Sequence, residues 1–66
     1  MAKKSKYTLV GVDGNAYAVM AYVANAMKRE GFTRAEIDEY YKKAMSSDYN
    51  NLICVSVEYV ELANNR

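Results

Sequence analysis

Sixty-six residues with a single cysteine and no histidine make one small domain, with neither an internal disulfide nor a Cys/His zinc site to hold it together. Hydrophobic residues at 52% against 26% charged exclude a disordered composition, and a formal net charge of +1 excludes a global field for nucleic acid or anionic membrane. A chain this short buries only about 60% of the surface its unfolded form exposes, so oligomerisation is the remaining way to add buried area.

Residues 1–5 read as a flexible basic arm ahead of one domain spanning 6–66. The arm is not expected to open a signal peptide. The apolar run after Lys3, Lys4 and Lys6 extends only from Leu9 to Val12 before Asp13 interrupts it. No stretch approaches the roughly 20 apolar residues of a membrane span. The expected location is the cytoplasm, with which an unpaired Cys54 is compatible.

"KYTLVGV", Lys6–Val12, is rich in β-branched and aromatic residues and reads as one short strand. Asp13-Gly14 stops it, and Asp13 or Asn15 caps a first helix expected over Ala16–Glu30, with Gly31 as its C′ residue. Ala16, Val19, Met20, Val23 and Met27 form the core stripe of that helix. Its other side carries Ala18, Ala21, Tyr22 and Asn25 where a surface helix would carry Lys and Glu. Small Ala side chains permit close approach by another helix or a strand, and this side is expected to be a subunit interface.

The second helix has the most explicit local code. Thr33 and Glu36 form a capping box, and Phe32 against Ile37 a hydrophobic staple. Its core stripe is Ile37, Tyr40 or Tyr41, Ala44 and Met45. The pairs Asp38–Lys42 and Glu39–Lys43 lie four apart on the wet side. "SSDYNN" ends this helix and offers Ser47 or Asp48 as the next N-cap.

The last segment, "LICVSVEYVELANN", has a strand-like composition. Its polar positions Cys54, Glu58, Glu61 and Asn65, however, recur at intervals of four, three and four, which predicts a third helix.

The expected fold is therefore mainly α, one short N-terminal strand followed by three helices. A single strand leaves both backbone edges unpaired, so it is expected to pair with its counterpart in a homodimer. The interface would comprise Tyr7, Leu9, Ala18, Ala21, Tyr22 and Asn25. The alternative is an α+β chain with an intrachain two-stranded sheet, if residues 52–62 are extended.

Chemistry-bearing motifs are sparse. Gly11-x-x-Gly14 lacks the Lys-Ser/Thr of a phosphate loop and holds Asp13 at its centre, which suits a turn better than an anion. Cys54 has no histidine to activate it, and the carboxylates have capping and pairing roles. No enzyme, cofactor or metal site is expected. Tyrosine is the unusual residue, seven copies against one Phe and no Trp. A ring with a polar tip favours interfaces, so Tyr40, Tyr41 and Tyr49 are the candidate contacts for a partner.

Two resemblances bear on function. "KREGFTRAEIDEYYKKAM", Lys28–Met45, resembles the helical centre of ribbon-helix-helix repressors. That resemblance implies, as the alternative function, DNA binding by a dimeric ribbon carrying Lys4, Lys6 and Thr8. Over most of the chain, "LVGVDGNA" and "SSDYN" included, the sequence is similar to short proteins of phages and prophages of gut bacteria. That similarity implies a phage-type genome, in which tiny proteins often modulate host machinery by binding it, and implies no assigned activity or site residues. Taken with the reading of the residues, the expected function is a non-enzymatic, homodimeric interaction protein that binds and modulates a host protein, such as a defence or regulatory factor, in the host cytoplasm.

Overall fold

A computed structural model describes residues 7–65 as three helices, α1 (Ala16–Arg29), α2 (Arg34–Ala44) and α3 (Tyr49–Asn64). Each helix begins where a side chain takes up orphan backbone amides. Asn15 Oδ1 accepts from the N–H groups of Tyr17 and Ala18, at 2.9 and 3.4 Å. Asp13 stands one step back, accepting from Asn15 N–H at 3.0 Å. At α2 the capping box is complete. Thr33 Oγ1 accepts from Glu36 N–H at 3.2 Å, and Glu36 Oε1 accepts from Thr33 N–H at 2.8 Å. Asp48 Oδ1 accepts from Asn51 N–H at 3.0 Å to start α3.

α1 ends as its glycine predicts. Gly31 sits at φ +88°, Phe32 N–H donates to Met27 C=O at 3.0 Å, and Gly31 N–H donates to Lys28 C=O at 3.2 Å. This Schellman closure turns the chain back and drives Phe32 into the core. Val19, Met20, Val23, Ala26 and Met27 of α1 pack with Tyr40 and Ala44 of α2. Leu52, Tyr59, Val60 and Ala63 of α3 complete the cluster. At its centre the Tyr40 hydroxyl and Ser56 Oγ share a hydrogen bond of 2.6 Å, both residues being wholly buried.

The N-terminal expectation needs correcting. Residues 7–12 form no strand; they run into a turn in which Val12 N–H donates to Leu9 C=O at 3.1 Å and Gly11 adopts φ +85°. Val10 N–H donates to Thr8 Oγ1, which draws the backbone out of extension. Side chains of the chain itself take up part of this segment's backbone. Asn64 Oδ1 accepts from Tyr7 N–H at 2.8 Å, Asn64 Nδ2 donates to Tyr7 C=O at 3.0 Å, and Tyr22 Oη accepts from Thr8 N–H at 3.0 Å. A side-chain amide on α3 thus does what a neighbouring strand would do. The intrachain sheet falls with this, since its second strand is the helix α3. Lys6, where the expected strand began, and the basic arm lie outside the described residues.

Candidate functional site

α1 and α2 run in opposite directions, joined by the Glu30–Thr33 turn, and α3 packs against both on one side. Among the described residues no helix covers the other side of the pair. There α1 presents Tyr17, Ala21, Ala24 and Lys28, spaced four, three and four, and α2 presents Arg34, Asp38, Tyr41 and Met45 at intervals of four, three and four. Each stripe lies well away from its helix's buried residues, so both belong to the surface by helical geometry.

Two depressions follow one another along this face. The first, of about 450 Å³, has an apolar floor of Ala21, Ala24, Phe32, Ile37 and Tyr41 and a polar rim of Asn25, Lys28, Arg34 and Asp38. The second, of about 290 Å³, lies towards the start of α1 and is lined by Tyr17, Met20, Met45, Asp48, Tyr49 and Leu52, among others. Large apolar side chains are unusually exposed at that end, Tyr17 at 77%, Met45 at 58% and Tyr49 at 46%. Exposed apolar groups gathered on one face within a polar rim are the usual anatomy of a contact surface, whereas scattered ones are ordinary. Val57 and Leu62 on the outer side of α3 are of the scattered kind, set among Cys54, Glu58 and Glu61.

The face divides the tyrosines sharply. Tyr41 lines the first depression with its ring half-buried. Tyr49 lines the second, its hydroxyl donating to Gly14 C=O at 2.5 Å and so fastening the head of α3 to the loop before α1. Tyr40 is no contact residue. It is wholly buried, its ring 5.1 Å from that of Tyr59, because the 100° step between neighbouring helical positions turns it onto α3 while Tyr41 stays at the margin.

The expected dimer residues divide in the same way. Ala21 and Asn25 are exposed on the open face. Tyr7, by contrast, is buried, with its hydroxyl donating to Glu30 Oε2 at 2.6 Å. Leu9 packs on the core, and Tyr22 meets Tyr7 edge-on at 6.5 Å. Ala18 is half-buried. Tyr7, Leu9 and Tyr22 therefore pack within the chain, around its own N-terminal segment. Of the alternative DNA set, Thr8 lies on no strand and accepts from Val10 N–H just ahead of the turn, and Lys4 and Lys6 lie outside the described residues.

Sequence reasoning missed Tyr17 and Met45 as surface groups. Tyr17 is one turn before Ala21 and seven residues before Ala24, so the small-residue stripe already pointed to it. Met45 was placed on the core stripe of the second helix but serves as its C-cap, turned out at the helix end.

Among the described residues no helix is long and apolar enough to cross a membrane, and no three His, Cys, Asp or Glu side chains gather as metal ligands would. Compared with protein-family models, curated proteins and solved structures, the chain matches none.

Proposed function

We propose that this protein is a non-enzymatic interaction protein of the phage type its sequence resembles, modulating a host protein by contact through the α1–α2 face. One observation carries the reading. Tyr17, Ala21, Tyr41, Met45 and Tyr49 share an open face, while Tyr7, Phe32, Tyr40 and Tyr59 are buried. Among the described residues the hydroxyls of Tyr17 and Tyr41 have no hydrogen-bond partner, whereas those of Tyr7, Tyr40 and Tyr49 are engaged inside the chain. Rigid rings with a free polar tip give contact area at small entropic cost, which is why tyrosine serves so often in recognition. A defence or regulatory factor is the target class that the resemblance suggests, and occupancy of its surface is the mode of action.

The test is affinity capture from a bacterial lysate with the wild-type chain and with Ala21→Glu, which puts a charge in the floor of the first depression. A host protein enriched by the wild type and lost with Ala21→Glu is the expected result. Recovery of nucleic acid alone, or of the same proteins by both chains, would sink the reading.

A further inference from the structure

The α1–α2 face has a direction. At one end Lys28 and Arg34 outnumber the single carboxylate Asp38; at the other Asp48 lines the second depression, whose lining among the described residues holds no cation. Resting on the reading of this face as a contact surface, we infer that it closes on the same face of a second copy, antiparallel, about a twofold axis at Ala21.

Shape and charge point to the same arrangement. Tyr17 is the most exposed aromatic ring on the face, and the first depression is the larger of the two hollows. Tyr17 and Asn25, on the rim of that hollow, lie about 12 Å apart along the axis of α1, with Ala21 midway between them. A twofold axis at Ala21 carries position 17 of one copy to position 25 of the other, so each Tyr17 ring enters the other copy's hollow. The same operation carries Lys28 to position 14. That position is where the Tyr49 hydroxyl holds the head of α3 against Gly14 C=O, with Asp48 next in the chain and Asp13 beside the glycine.

Cations thus meet carboxylates twice, once at each end of the interface, as an isologous contact requires. Ala21 stands at the crossing point, where antiparallel helices approach to about 8 Å only if the facing side chain is small. Because host protein and second copy use one face, they compete for it, and the dimer is the form in which the free protein rests.

Light scattering of the full chain at tens of micromolar, together with cross-linking, tests this. The wild type should be a dimer that weakens with added salt. Ala21→Glu should run as a monomer with its helical circular dichroism intact, and Tyr17→Ala should weaken association at least about tenfold. Ala21→Cys in a Cys54→Ser background should oxidise to a covalent dimer through position 21, whereas Glu61→Cys in the same background, on the outer side of α3, should not. A monomeric wild type, or a dimer indifferent to Ala21→Glu, overturns the inference. If the wild type is monomeric and Ala21→Glu still loses the lysate partner, only this inference falls. If it is monomeric and capture is unchanged, the contact-face reading falls with it.

Discussion

The two sides of α2 are built from the same residue types and have opposite fates. On the side facing α3, Tyr40 is sealed between Tyr59 and Ser56 with its hydroxyl paired. On the side facing away, Tyr41 has a half-buried ring and no partner for its hydroxyl among the described residues. One residue of separation along a helix divides an element of stability from an element of recognition. What differs is the neighbour, since α3 covers one side of the α1–α2 pair and no other element among the described residues covers the other.

The sharpest way to break this comparison is to truncate each tyrosine in turn. Tyr40→Ala empties a fully buried site and orphans the Ser56 hydroxyl. Large-to-small changes of this kind cost about 3–5 kcal/mol. A 66-residue domain has only about 3–10 kcal/mol in total, so the variant should be largely unfolded at 37 °C by circular dichroism. Tyr41→Ala should fold, losing about 1 kcal/mol or less. Equal losses for the two variants would mean that the open face is as much a part of the core as the closed one.

How much of this was legible in advance depends on how local the cause is. The capping box at Thr33 and Glu36, the Schellman glycine Gly31, and the core stripe Val19, Met20, Val23 and Met27 are set by residues within two turns of each other, and all were readable. Alternatives left open at Asn15 and Asp48 were one or two residues wide and needed only the cap geometry to close them. The N-terminal segment was misread because its composition favours a strand, while its conformation is governed by Gly11 and by Asn64, 57 residues beyond Tyr7. No local pattern announces that an asparagine near the end of the chain will take the place of a strand. Tyr40 and Tyr41 were likewise indistinguishable on their own helix, because only the position of Ser56 and Tyr59 on α3 selects between them.

Alkaline titration sharpens the same comparison by a smaller effect. Burial pushes the Tyr40 phenol above its usual 10.0; the Ser56 hydrogen bond pulls it partly back, and the neighbouring Tyr41 adds to the rise. The folded state therefore holds this proton more tightly than the unfolded chain does. Its contribution to stability is complete below pH 10 and is lost as pH climbs through the unfolded value towards the folded one. Lys43, whose ammonium lies 5.8 Å over the Tyr59 ring and is raised chiefly by that phenol, adds a loss of the same sign. Urea unfolding on either side of pH 10 should show a steeper alkaline decline for wild type than for Tyr40→Phe, a comparison that removes the part due to Lys43. Parallel curves would mean that the Tyr40 hydroxyl is not sealed.

The smallest effect belongs to the open face and is the most telling about it. Within a single chain Tyr17 is 77% exposed, so Tyr17→Ala removes little packing and should change the stability of the monomer by no more than about 0.5 kcal/mol. The same ring placed in the hollow of a second copy makes folding and association one equilibrium, and melting temperature then rises with concentration. Wild-type protein should therefore melt at a higher temperature as it is concentrated, Tyr17→Ala should melt at a nearly constant one, and the two curves should converge on dilution. A constant gap at every concentration would place Tyr17 in the chain's own packing, and the open side of α2 would then differ from the closed side only in degree.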